Sequence, residues 1–228
     1  RVLFRSLEED DLQYKTIVEN LQKHHVKVFF YIGGNDSMDT VMKLDAYLKR
    51  EQIDICVVGV PKTIDNDLME TDHTPGFGSA AKYVAISLQE IIRDSRVYSI
   101  PSVTIVEIMG RDAGWLAASS CVLRANGEPA PHLIYLPEST FTLEQYIQDV
   151  KNAMTRYKAV IIAVSEGVTF PDAGSEEQAK DAFGHTQNAG IGKKLEEYTA
   201  KYFQCKVRSI ELNVMQRCSS HAASLTDL

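Results

Sequence analysis

Short, nearly all-apolar runs alternate along this chain with stretches whose apolar residues recur every three or four positions, and that alternation decides the fold class. The runs are Val26–Ile32 (VKVFFYI), Ile53–Val60 (IDICVVGV), Val103–Met109 (VTIVEIM), Leu133–Leu136, Ala159–Val164 (AVIIAV) and Val207–Leu212. Rich in β-branched and aromatic residues, they predict strands, with Val26–Ile32 buried on both faces. The alternation in Val207–Leu212 predicts one exposed face. Helical spacing marks Ser6–His24, Met38–Arg50 (Met38, Val41, Leu44, Leu48) and Gly78–Arg93 (Val84, Leu88, Ile91, Ile92). It returns in Ala113–Arg124, in Thr142–Tyr157, and in a segment carrying Ile191, Leu195, Tyr198 and Tyr202. Ser6 and Glu9 have the form of a capping box, and Thr142 stands three residues before Gln145 in the same arrangement. Pro61–Pro75 predicts a loop, and Phe170–Ala182 a polar, mobile one. Helices alternating with apolar strands predict an α/β protein with mostly parallel sheets flanked by helices. Ligands of such folds bind at the carboxyl ends of the strands.

Composition narrows the function classes. The chain has 228 residues, 44% of them hydrophobic, and a formal charge of −7, which excludes fibres and disordered tails and argues against nucleic acid or an anionic membrane as the main partner. No segment approaches the roughly 18–20 apolar residues of a membrane span, and the first residues lack the apolar run of a signal peptide. A cytoplasmic protein is expected. Cys56, Cys121, Cys205 and Cys218 are widely spaced and form no CxxC or zinc-type array, so they are expected to be reduced thiols that pack. Trp115 is expected in a core or an interface, and His24 and His25 at a helix carboxyl end.

Three loops follow predicted strand ends, and each carries residue types that phosphate chemistry uses. In Gly33-Gly34-Asn35-Asp36-Ser37 the glycines let the backbone approach a phosphate and the helix start offers free N–H groups. Taken alone, the same loop reads as a tight turn with Asp36 or Ser37 as the helix cap. Pro61-Lys62-Thr63-Ile64-Asp65-Asn66-Asp67 offers two carboxylates, a hydroxyl and an ammonium. One acid can take a proton from an attacking hydroxyl while the other orients it or helps hold a metal, and Lys62 can neutralise phosphoryl charge. Alone, the acids also read as turn formers. In Glu107-Ile108-Met109-Gly110-Arg111-Asp112-Ala113-Gly114-Trp115, Arg111 is placed to fork onto phosphate oxygens, or else to pair with Asp112.

Together, GGNDS (33–37), PKTIDND (61–67), TPGFGSAA (74–81), EIMGRDAGW (107–115), SEG (165–167) and RSIELNVMQR (208–217) resemble the phosphofructokinase superfamily, in its order and over nearly the whole chain from Phe29 onward. The resemblance implies a two-lobed architecture, with residues 1–125 as the donor and catalytic lobe and 126–228 as the sugar-phosphate lobe. It implies phosphoryl transfer to the C1 hydroxyl of fructose 6-phosphate with Mg²⁺ present. Asp65 is then the general base, with Thr63 and Asp67 holding the reacting groups and Arg111 stabilising charge in transfer. Thr63, Ile64, Asp65, Met109, Gly110, Arg111, Glu166, Arg208 and Arg217 match sugar-phosphate contacts. Arg208 reaches in from a neighbouring subunit, which implies a homo-oligomer. Gly33, Gly34, Asp36, Ser37 and Lys62 match donor contacts. The resemblance also implies a glycine-rich donor loop upstream of Arg1 and further chain after Leu228.

The branch of the family that uses ATP usually carries glycine at the positions of Asp36 and Lys62, whereas the pyrophosphate branch carries Asp and Lys, as here. The physics agrees, because a carboxylate beside the phosphate loop repels and obstructs an α-phosphate, while an ammonium stabilises a pyrophosphate transition state. Pyrophosphate is therefore the expected donor, and the reaction is expected to be reversible. Four positions depart from the family pattern. Asn35 replaces an Asp linked to Mg²⁺, leaving metal binding there weaker, indirect or shared with Asp36 or Asp65. Ser102 replaces a substrate-phosphate arginine, Val214 a polar residue, and Cys218-Ser219 a glycine pair. An ATP-dependent enzyme, a non-catalytic regulatory subunit and a related sugar phosphate stay open as alternatives.

Overall fold

The computed structural model describes residues 11–170 and 190–228. The Ser6–Glu9 capping box and all of the predicted polar loop but Phe170 lie outside them. The chain forms two compact units, residues 1–63 and 64–228.

In the first unit, α1 (Asp11–Lys23) precedes β1 (Val28–Gly33), α2 (Asn35–Arg50) and β2 (Cys56–Pro61). The strands pair in parallel, with Phe30 opposite Val58 and Gly33 opposite Pro61. Tyr14 and Val18 of α1 and Leu44 and Leu48 of α2 bury together against Ile55, with Phe29 and Val57 packed on them. Both helices therefore cover the face that carries Phe29. This corrects the expectation that the first strand is buried on both sides: Val28, Phe30 and Ile32 are 47%, 61% and 68% exposed. An all-apolar strand has no polar face to reveal which side its helices leave bare.

In the second unit, β3 (Ser102–Ile108), β4 (Leu133–Tyr135), β5 (Ala159–Ser165) and β6 (Lys206–Glu211) form an all-parallel sheet in the order β4-β5-β3-β6. Every residue of the central strand β3 is buried, because helices lie on both faces. On one side α3 (Phe77–Ser95) and α4 (Trp115–Ser119) bring Val84, Leu88 and Leu116 against Val106 and Ile108. On the other, α6 (Leu143–Met154) and α7 (Ile191–Tyr202) bring Tyr146, Val150 and Leu195 against Val103 and Ile105. The alternation of these contacts along β3 is the two-residue period of a strand. Thr142 caps α6 as expected, its Oγ1 accepting the Gln145 N–H at 3.1 Å. Residues of both predicted lobes share this sheet, since β3 pairs with β5 and β6.

Two further expectations need correction. The single helix over 113–124 is two short ones, α4 and α5 (Val122–Ala125). At the break, the Ser119 and Ser120 hydroxyls each donate 2.6 Å bonds to the carbonyls of Leu116 and Ala117, which competes with the regular helix ladder. Cys56, Cys121 and Cys218 are exposed and Cys205 partly so, all of them free, and Trp115, expected in a core or an interface, is 55% exposed and outside this core.

His132 extends the sheet just before β4: its N–H donates to the Ile161 carbonyl at 2.8 Å and its Nδ1 accepts the Ile161 N–H at 2.9 Å. The ring also packs on Tyr157 with centroids 4.0 Å apart. Burial, aided by the charges of Arg124 and Arg96, lowers its pKa from 6.5 to about 4. The unfolded chain therefore takes the proton first, and stability falls as pH drops from 6.5 towards 4. In His132→Gln, which keeps an acceptor and cannot ionise, the loss between pH 7 and 5 is expected to shrink by about 1–2 kcal/mol. Urea midpoints at the two pH values measure this, and parallel losses in the two proteins would remove His132 from the account.

Candidate active site

Each unit places polar loops at the carboxyl ends of its parallel strands. In the first unit, β1 runs into α2 through Gly34, which caps the helix in an extended conformation with no side-chain hydrogen bond. Neither Asp36 nor Ser37 is the cap. The helix starts three residues before the expected Met38, so Asn35, Asp36 and Ser37 form its first turn. A Cβ on Gly33 would lie 2.0 Å from the Ser37 hydroxyl, so only glycine lets that side chain fold back over the turn. The Lys62 N–H donates to the Gly33 carbonyl at 2.9 Å, which ties the two predicted donor loops side by side. Asn35 and Lys62 are exposed, while Asp36, Ser37 and Thr63 are partly buried.

In the second unit, Ile64 packs against the core. Asp65 follows with a side chain 13% exposed, and its Oδ2 lies 4.0 Å from Nε of Arg111. Arg111 therefore faces Asp65 and not the adjacent Asp112. The turn that carries Arg111 is held from beneath: Oε1 of Glu166 accepts the N–H groups of Gly110 at 3.1 Å and Arg111 at 2.9 Å. Arg111 adopts φ of 51°, the left-handed region that side chains seldom enter without outside support. Oε1 of the buried Gln216 accepts the Met109 N–H at 3.2 Å, which sets Arg217, the next residue and exposed, beside the same strand end. Asp67 is exposed.

Arg208 does not join this group. It lies in the first half of β6, where its guanidinium donates to Asp94, and its Nε donates to Thr104 Oγ1 at 3.3 Å.

Several contributors were not singled out from the sequence. Asn66 and Gln216 sit inside motifs whose neighbours drew the attention. Glu138 accepts the Gly114 N–H at 2.7 Å across 24 residues and left no local signal. Glu107, buried at the end of β3, accepts N–H groups from Gly190 at 2.8 Å and Gly192 at 2.7 Å. It thereby fixes the start of α7. Burial raises its pKa against the opposing effect of those two bonds.

Two helix layers on a parallel sheet, with acids, an arginine and amide-clamped turns at the strand ends, define the class: a doubly wound α/β protein whose loops are suited to phosphorylated ligands. The chain belongs to the phosphofructokinase family, whose model matches residues 3–225. It is 39% identical over 235 residues to a pyrophosphate–fructose 6-phosphate 1-phosphotransferase of Xanthomonas campestris pv. campestris, covering 100% of this chain and 56% of the relative. A Rhodospirillum rubrum protein of the same name is 41% identical over 194 residues, covering 81% and 47%. The crystal structure of a pyrophosphate-dependent phosphofructokinase from Marinobacter aquaeolei superimposes with a TM-score of 0.79 at 34% identity, covering 94% of this chain and 51% of that one. The chain thus spans about half the length of the curated relatives it matches.

Proposed function

We propose that the protein transfers a phosphoryl group reversibly from pyrophosphate to the C1 hydroxyl of fructose 6-phosphate, giving fructose 1,6-bisphosphate in glycolysis and gluconeogenesis. The observation that carries this reading is the Asp65–Arg111 pair, a shielded carboxylate facing a guanidinium on a turn whose amides are pinned. The names of the relatives supply donor and acceptor.

In this reading Asp65 takes the proton of the C1 hydroxyl as its oxygen attacks phosphorus, and Arg111 stabilises the charge that develops on the phosphoryl oxygens. Thr63 and Asp67 hold the reacting groups, and Ile64, Met109 and Gly110 contact the sugar phosphate. Glu166, besides clamping the turn, contacts the sugar, and Arg217 binds its phosphate. Arg208, held by Asp94 away from the strand ends, serves a neighbouring subunit of a homo-oligomer. Gly33, Gly34, Asp36, Ser37 and Lys62 bind pyrophosphate, with Lys62 stabilising the leaving phosphate. Residues 1–125 form the donor and catalytic lobe and 126–228 the sugar-phosphate lobe. Four free thiols and an acidic surface accord with a cytoplasmic enzyme. No helix among the described residues is long and apolar enough to cross a membrane.

Mg²⁺ needs no protein cage. Among the described residues no three His, Cys, Asp or Glu side chains converge on one point, and Mg²⁺ is commonly held by one or two carboxylates together with waters and substrate phosphates. The oxygen donors here fit that mode, with Asp65, Asp67 or Asp36 as the carboxylate and Asn35 as a neutral neighbour. When bound, the ion neutralises phosphate charge.

The reading is tested in reverse. With fructose 1,6-bisphosphate and inorganic phosphate, the full-length protein is expected to release pyrophosphate, and Lys62→Gly to do so about 10²-fold more slowly. Parent-like rates in Lys62→Gly would refute the donor assignment, and a well-folded protein that releases no pyrophosphate would refute the proposed reaction.

A further inference from the structure

Between the two acids of the central loop stands a residue that the chemistry above does not use. Asn66 is 7% exposed while Asp67, next to it, is exposed. Its backbone is left-handed, with φ of 56°, a conformation that asparagine tolerates better than most residues. Its side chain is fully engaged inward. Oδ1 accepts the Thr74 N–H at 2.9 Å and the Thr74 hydroxyl at 3.2 Å, and Nδ2 donates to the Asp72 carbonyl at 3.2 Å. Thr74 is itself completely buried. The far end of the loop is anchored as well: the Asp227 carboxylate accepts the N–H groups of Gly76 at 2.9 Å and Ser79 at 2.7 Å, which fixes the start of α3.

We propose that Asn66 is a positioning residue that sets the opposite directions of Asp65 and Asp67. A single left-handed residue reverses the local chain, and three hydrogen bonds to buried or backbone groups hold that reversal in place. Asp65 is thereby turned inward towards Arg111, and Asp67 is turned out. The pin explains how two acids separated by one residue keep different surroundings and divide their work. Without it, the loop would still connect β2 to α3, but its carboxylates would sample several directions. A misplacement of about 1 Å at a reacting group costs on the order of 10² in rate.

This inference rests on the phosphoryl-transfer reading, so its test has one arm that needs no turnover. Asn66→Gly keeps the left-handed backbone accessible and removes all three side-chain bonds. In the full-length protein it is expected to lower kcat by about 10²-fold while KM for fructose 6-phosphate and for pyrophosphate changes by less than about 3-fold. Thr74→Val, which removes the hydroxyl bond to Asn66, is expected to act in the same direction by about 3–10-fold, and Thr74→Ser, which keeps the hydroxyl, to stay closer to the parent. A crystal structure of Asn66→Gly is expected to show the Asp65 carboxylate displaced from Arg111. Asp65 and Asp67 superimposable on the parent, or a fall in stability with kcat unchanged, would overturn the proposal. If Asn66→Gly fails to fold, the same structural and kinetic comparison on Thr74→Val decides it. A parent without turnover but with displaced carboxylates in the variant would refute the proposed reaction and leave the positioning role standing.

Discussion

Asp65→Asn is expected to lower turnover by about 10²-fold or more while fructose 6-phosphate binds nearly as before. The reasoning is one of differential binding. A carboxylate that accepts a proton only as the hydroxyl attacks contributes to the transition state and little to the ground state. Asparagine keeps the size of the group and removes its basicity together with its negative charge, and with it the ion pair to Arg111. Initial rates with both substrates varied, together with equilibrium binding of the sugar phosphate, separate the two effects. Parent-like turnover would remove Asp65 from the mechanism. A parallel loss of binding and rate would make it a ligand-holding residue instead.

The second large effect is expected at Gly167, which packs against the turn that carries Arg111. A Cβ there would stand 1.8 Å from the Arg111 carbonyl oxygen and 2.8 Å from its carbon, closer than any non-bonded contact allows. The neighbour is backbone, and that backbone is already held in a left-handed conformation by the Glu166 carboxylate. It has no flexible tip to give way. Gly167→Ala must therefore push the Arg111 turn off its clamp. The expected result is a loss of about 1–3 kcal/mol in stability and about 10²-fold in turnover, read by urea unfolding and initial rates on one preparation. A parent-like midpoint and rate would show that the turn is softer than its contacts indicate.

Much of the fold is legible in the sequence because its signals are local. VTIVEIM and AVIIAV read as apolar strands of a mostly parallel sheet, and they form β3 and β5 of one. The Thr142 cap and the spacing of Val84, Leu88 and Ile92 likewise survive in the structure. What escaped was set by distant parts of the chain. The bare face of β1 follows from where α1 and α2 pack, which VKVFFYI does not encode. The break between α4 and α5 turns on hydroxyl rotamers. At the site, residue types were readable, but their arrangement depends on the Glu166–Arg111 and Gln216–Met109 bonds, across 55 and 107 positions. Arg208 shows the same limit, since its partner Asp94 lies 114 positions away. The role of Asn66 was hidden for another reason: two acids on either side of it offered the more obvious chemistry.

The donor is the point on which the account is most exposed. Asp36 and Lys62 are read as a carboxylate that excludes an α-phosphate and an ammonium that serves pyrophosphate. The most direct measurement is the initial rate of fructose 6-phosphate phosphorylation by the full-length protein with Mg²⁺, with pyrophosphate and ATP compared side by side. The account predicts turnover with pyrophosphate and none with ATP. Turnover with ATP alone would contradict the donor assignment, and a folded protein inactive with both would contradict the proposed reaction and point to a regulatory subunit or another sugar phosphate.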